Sequence, residues 1–190
     1  TAQHFCTVFG PKVHGAQMLH AAAACAPLCA FSVYSSVASL LGSAGQAAHS
    51  AANSWLDSLA QWRCWLGLPG LSMQWGAIAE IGYAARHKAD VQAERGGMGA
   101  IPRAMAWEAL ARTLFTPVRM VAVLPADWSK LLQGRAEVPG FLAPFKHLAR
   151  QGQAHVAAAR VTPAITLPSI GLQEVLALVQ RTAGGEVDAD

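Results

Sequence analysis

Charge is scarce in this chain: only 13% of its 190 residues are Asp, Glu, Lys or Arg, against 53% hydrophobic. That balance excludes a disordered chain, which is poor in apolar residues and rich in charge. Long apolar runs are also missing. The most apolar stretch, residues 21–31, is rich in alanine and interrupted by Pro27. A transmembrane helix needs ~20 consecutive apolar residues. The first residues show no basic-then-apolar leader pattern. Cysteine is sparse, with Cys6, Cys25, Cys29 and Cys64 only, and neither CxxC nor HxxxH spacing occurs. This excludes a disulfide framework and disfavours a metal site. The cysteines read as small apolar residues in a reducing, intracellular compartment. The net charge is +3, with its densest basic clusters at Arg86-His87-Lys88 and at Lys146-His147 with Arg150. Such scattered charge does not make the basic face of a nucleic-acid binder. Tyrosine occurs only twice, at Tyr34 and Tyr83. No Gly-x-Gly-x-x-Gly turn is present; Gly96-Gly97-Met98-Gly99 follows a charged segment and precedes Pro102.

What is present is a patterned α/β chain, of a length that suits one ordinary domain with a short appendage. Ala16, Leu19, His20, Ala23 and Ala24 recur at helical spacing behind Pro11, predicting a helix from Val13 to Cys25. Residues 30–36 read as a short buried strand ending in Ser35-Ser36. Residues 40–45 read as a loop. A long helix is predicted from Gln46 to Leu66, with Ala48, Ala52, Trp55, Leu56, Leu59, Trp62 and Leu66 as its apolar stripe. Trp55, Trp62 and Trp65 read as packing residues. His49, Asn53 and Asp57 form a polar line at intervals of four. Residues 71–75 read as a second strand, closed by Gly76. Residues 83–100 read as a polar, mobile segment. A helix follows Pro102, with Met105, Leu110 and Leu114 inward. A third strand covers 118–124 and a short helix 127–133. Residues 134–168 read as a partly ordered linker. Ser169 caps a final helix to Gln180, with Leu172, Val175, Leu176 and Val179 on one face.

Strand, helix and strand with short joints make a βαβ unit with parallel strands. Ser36 then stands at the carboxyl edge of the sheet, where open α/β sheets bind ligands. His49 and Asn53 lie one turn apart on the next helix and face the same space. Lys12 begins the preceding helix. Four hydrogen-bonding side chains of different kinds are expected to converge there. His14, His20, His87, His147 and His155 read as structural or surface residues.

These words and spacings resemble the ketoreductase domain of modular type I polyketide synthases, a branch of the short-chain dehydrogenase/reductase superfamily. The matching stretches are Pro11-Lys12-Val13-His14-Gly15-Ala16 with Leu19-His20, residues 31–38 (FSVYSSVA) and residues 42–46 (GSAGQ). Residues 51–57 (AANSWLD), Gly67-Leu68-Pro69 and residues 75–82 (WGAIAEIG) continue the series in order. The resemblance covers residues 5 to about 128. It implies the carboxyl-terminal half of a Rossmann-like parallel sheet with flanking helices.

The resemblance also implies chemistry. NADPH delivers hydride to the β-carbon of a 3-ketoacyl thioester held on the phosphopantetheine of an acyl carrier protein. The family's site is Lys, Ser, Tyr and Asn, and Lys12, Ser36 and Asn53 stand at three of these positions. The tyrosine position, thirteen after Ser36 and four before Asn53, holds His49. An imidazole does not reach as far as a tyrosine hydroxyl, and a neighbouring Lys12 charge disfavours its protonated form. Impaired reduction is therefore expected, with a degenerate, non-catalytic scaffold as the alternative. A free-standing dehydrogenase is disfavoured, because its lysine would occupy the position of Asn53. Trp75 and Gly76 are expected to border the cofactor, and residues 83–100 to match the substrate lid. No metal is implied.

Residues 172–190 resemble the first helix and loop of an acyl carrier protein. The expected organisation is therefore a ketoreductase portion over 1–133, a linker over 134–168 and the start of a carrier domain over 169–190. Both ends look cut from something longer. The missing amino-terminal reductase half, the carrier and other synthase domains are the expected partners, in the cytoplasm, with neither nucleic acid nor membrane.

Overall fold

The computed structural model describes residues 2–79, 96–114, 116–132 and 138–151. Helix α1 (Ala2–Phe9) runs into α2 (Gly15–Ala22) through a π turn at Gly10–His14. Pro11 accounts for that turn. Its ring removes one backbone donor and crowds the preceding turn, and a π widening relieves the clash. The Gly15 N–H accordingly reaches back five residues to the Gly10 carbonyl. The helix thus starts well before the expected Val13. Val13 and Ala16 are buried, whereas Leu19 is 65% exposed and lies outside the packed face.

Strand β1 (Ser32–Ser36) follows, then α3 (Ala38–Leu41), a single turn where a loop was expected. Helix α4 (Ala47–Trp65) leads to β2 (Leu71–Trp75). Helix α5 (Arg103–Leu114) leads to β3 (Met120–Val123). Helix α6 (Trp128–Leu132), a 3-10 helix at Gly140–Phe145 and α7 (Lys146–Gln151) complete the described residues. The last two lie in the stretch expected to be a partly ordered linker. Trp128 stacks on Phe145 with ring centroids 4.0 Å apart.

The strands are parallel in the order β1-β2-β3, and Ser36, Trp75 and Val123 are matched in register at one carboxyl edge. Side chains alternate across the sheet. On one face Val33 meets Leu56, Leu59 and Ala60 of α4. Ala52 and Ala60 are fully buried, and such small side chains let α4 approach closely. On the other face Leu71, Met73, Trp75 and Val123 pack with Ile101 and with Ala106, Ala109 and Leu110 of α5. Met105 and Leu114 are more exposed than expected, because the inward row of α5 runs through Ala106, Ala109, Leu110 and Thr113. Burying one such Leu or Met side chain contributes ~1.5–3 kcal/mol.

The α4 stripe ends sooner than its periodicity implies. Trp62, Trp65 and Leu66 are 46%, 80% and 48% exposed. Arg63 is buried there instead. Its Nε donates to the Pro69 carbonyl (2.8 Å), its Nη1 lies 2.7 Å from His20 Nδ1, and its guanidinium covers the Phe31 ring at 3.8 Å. A guanidinium has only donors, so His20 Nδ1 is the acceptor. Cys6, Cys25 and Cys29 are exposed rather than packed, and Cys64 donates to the Gly70 carbonyl.

Residues 96–100, read as part of a mobile segment, and Ile101 after them are held by backbone bonds. The Gly97 carbonyl accepts from Asp127, Gly99 donates to Pro125 and Ile101 donates to Ala77. The chain divides into two compact units, residues 1–154 and 155–190. The second unit, with the expected helix over 169–180 and the carrier-like residues, lies outside the described residues, as do His87 and His155. No helix among the described residues is long and apolar enough to cross a membrane.

Candidate active site

The π turn carries Lys12 toward the carboxyl end of β1. Its Nζ donates to Asn53 Oδ1 at 2.9 Å and lies 3.5 Å from the Tyr34 carbonyl. Asn53 is fully buried on the second turn of α4. Its Nδ2 donates to the His49 carbonyl at 2.8 Å, and its own carbonyl accepts from Ser35 Oγ at 3.2 Å. The Asn53 side chain is therefore fixed at both ends. Of the three protons on the Lys12 ammonium, these two bonds leave one to give.

Burial lowers the Lys12 pKa below the ordinary lysine value, because desolvation disfavours charge. His49 lies half-buried in the first turn of α4. Burial first, and the Lys12 charge second, hold its pKa below the usual imidazole value. Both causes favour the neutral imidazole.

Ser36 ends β1. Its Oγ accepts the Ala38 N–H at 3.2 Å, which leaves the hydroxyl proton to donate elsewhere. Its carbonyl accepts from Ser39 Oγ at 2.7 Å. It is Ser35, not Ser36, that bonds to Asn53. The structure thus joins Lys12 to Asn53 directly, Asn53 to the His49 backbone, and brings Ser36 to the same sheet edge.

Trp75 and Gly76 close β2 at this edge. Trp75 is buried and stacks on Tyr34 with centroids 5.9 Å apart, yet its Nε1 is buried without a hydrogen-bond partner. A Cβ on Gly76 would sit 3.3 Å from the Val123 carbonyl and from Leu124 Cβ, so this glycine serves packing against β3. Among the described residues no cluster of three His, Cys, Asp or Glu side chains is arranged to hold a metal.

Comparison with known proteins finds one kind of relative. The family model for the KR domain matches residues 1–80. A phthioceranic/hydroxyphthioceranic acid synthase of Mycobacterium tuberculosis (strain CDC 1551 / Oshkosh) is 54% identical over 74 residues, covering 39% of this chain. Polyketide synthase GfsA of Streptomyces halstedii is 37% identical over 123 residues, covering 65% of this chain. The solved structure of an A1-type ketoreductase superposes with a TM-score of 0.73 at 30% identity, over 81% of this chain and 33% of its own. An A-type ketoreductase from a modular polyketide synthase gives 0.67 at 33% identity, over 69% and 28%. Residues 1–80 thus resemble a KR domain, and the relatives and solved structures named here are polyketide synthases and ketoreductases. The α/β fold with its parallel sheet matches those ketoreductases. The chain spans 4% of the mycobacterial synthase and 2% of GfsA.

Set against a nicotinamide dinucleotide, the residues present offer hydrogen-bond donors suited to one end only. Lys12 keeps one ammonium proton unspent, and the Trp75 indole N–H is a buried donor without a partner among the described residues. A Gly-rich turn for the pyrophosphate is not present in the sequence.

One polar residue of α4 shows more structure than its spacing disclosed. Asp57 read as the end of a polar line. It is buried, and its carboxylate collects Ser39, Ser72 and Gln74 from α3 and β2. The available signal was its place within the apolar stripe, beside Leu56.

Proposed function

We propose that this chain supplies the substrate-side half of an NADPH-dependent reductase acting on a carrier-bound β-ketoacyl thioester. The observation that carries the reading is the Lys12–Asn53 bond beside the Ser36 end of β1. NADPH, when bound, supplies the hydride. Lys12 holds the ribose, steadied by Asn53. Ser36 donates its free hydroxyl proton to the substrate carbonyl, while Ala38 occupies one lone pair of its oxygen. The alkoxide that develops needs a proton, and general acids contribute ~10²–10⁴-fold to such steps. The acid position holds His49.

A second reading follows from that residue. Burial first and Lys12 second disfavour the His49 imidazolium, the form an acid would need. The domain then serves as a scaffold for neighbouring synthase domains. The acyl carrier protein is the proposed partner in both readings, and residues 169–190 as the start of a carrier domain belong to the same proposal.

The test supplies this chain with the amino-terminal segment of a solved ketoreductase and follows NADPH oxidation by a simple β-ketoacyl thioester. The His49→Tyr variant is expected to turn over ~100-fold faster than the native chain. Equal rates overturn the scaffold reading. No turnover by either form, with NADPH bound, overturns the reductase reading.

A further inference from the structure

We propose that Asp57 is a positioning residue that holds Ser36 in place, through Ser39, for its encounter with the substrate carbonyl. The proposal rests on the reading of Ser36 given above.

Asp57 is 7% exposed and lies one turn beyond Asn53 on α4. Its Oδ1 accepts from Ser72 Oγ at 2.5 Å. Its Oδ2 accepts from Gln74 Nε2 at 2.8 Å and from Ser39 Oγ at 2.7 Å. All three donors are neutral. A buried carboxylate needs such a set of donors, and this one draws them from two elements. Ser72 and Gln74 are on β2, while Ser39 is on the single turn α3 that follows Ser36.

Ser39 makes the connection to the site. Its oxygen also lies 2.7 Å from the Ser36 carbonyl and accepts from Gln74 Nε2 at 3.1 Å. A hydroxyl has one proton, so Asp57 and the Ser36 carbonyl share it, and the hydroxyl is clamped between them. The turn from Ser36 into α3 is held at its back by this clamp. Its front is held by the Ala38 N–H on Ser36 Oγ. The same Asp57 belongs to the helix that carries His49 and Asn53. One carboxylate therefore sets how Ser36 stands relative to the other site residues. Lys12 and Asn53 are held by separate bonds and do not depend on it.

Asn in place of Asp offers one acceptor and one donor to three donors, so at least one partner is turned away. Ser39 has the alternative acceptor, the Ser36 carbonyl, and is the partner released.

Two measurements test this. In the 190-residue chain, amide hydrogen exchange of residues 38–41 is expected to rise at least tenfold in Asp57→Asn, with β3 amides unchanged. In the chain supplied with the amino-terminal segment and carrying His49→Tyr, Asp57→Asn is expected to lower kcat at least tenfold. The NADPH KM should stay within twofold. Ser39→Ala should lower kcat in the same sense, and the double variant should be no worse than Asp57→Asn alone, because both act through one contact. A purely structural Asp57 would give additive losses and move both constants. If Asp57→Asn does not fold, Ser39→Ala carries both measurements. Unchanged exchange at 38–41 overturns the proposal, as does unchanged kcat in an active parent. If the His49→Tyr parent is itself inactive, the reductase reading has failed, and the exchange result alone decides whether Asp57 holds Ser36.

Discussion

His49, which stands at the position proposed above for the acid, has its pKa held below the usual imidazole value. Its titration has a definite sign. The folded pKa of His49 lies below its unfolded value, with burial the larger cause and Lys12 the smaller. In the window beneath the ordinary value of ~6.5, the unfolded chain binds a proton that the folded chain refuses. Stability is therefore lost as pH falls through that window, and nothing is lost above it. An imidazole NMR titration should place His49 below ordinary histidine. Lys12→Met should move it part of the way back, because burial remains. Thermal unfolding of His49→Gln should gain on the native chain as pH drops from 7 to 5. A His49 midpoint at or above the ordinary value contradicts the arrangement. Lys12, Ser36 and Asn53 were legible as candidates because a linear spacing preserves a helix–strand–helix geometry. The Asp57 cluster was not. Its donors come from two distant places in the chain, and a polar residue every fourth position on a helix ordinarily marks a solvated line.

Elements divide in the same way between local and distant causes. All three strands and α4 follow from short apolar runs and a 3.6-residue period, which are local properties. The stripe's end is not local. Trp62 stays half-exposed with the His20 ring as its neighbour and Trp65 more so, while the longer, charged Arg63 is buried by capturing Pro69, His20 and Phe31. The hold on 96–101 was equally illegible, since its partners are Ala77, Pro125 and Asp127. Gly97 is what permits that hold. Its φ of +86° is left-handed, and a Cβ there would sit 2.7 Å from the Leu131 nitrogen and 2.8 Å from the Asp127 carbonyl. Both are backbone atoms and cannot step aside. Gly97→Ala is therefore expected to cost about 2 kcal/mol and to expose the Gly99 amide to exchange. Gly140→Ala, with open space around it, should stay within ~0.5 kcal/mol of the native chain. Urea unfolding distinguishes the two, and equal midpoints would remove Gly97 from its role.

At the scale of the described sheet, the reading proposed above places only the ribose end of NADPH on this chain's residues. Helix α5 packs on β2 and β3, and Tyr34 on the same face of the outer strand β1 is 53% exposed. Lys12 meets that edge from the other side, with one ammonium proton unspent. Pyrophosphate, by contrast, is bound by the N–H groups of a Gly-rich turn at a helix start. Gly96-Gly97-Met98-Gly99 is tied instead to residues 125–127, its Gly99 amide donating to the Pro125 carbonyl and its Gly97 carbonyl accepting from Asp127. A lone ribose contact is too little to outweigh the entropy of immobilising a dinucleotide. Titrating the 190-residue chain with NADPH, followed by nicotinamide fluorescence, should thus give no saturable change. Adding the amino-terminal segment of a solved ketoreductase should create saturable binding. Lys12→Met should then weaken it at least tenfold, the scale of a lost charge-assisted hydrogen bond. Saturable binding by the chain alone would mean that its own residues hold the phosphates.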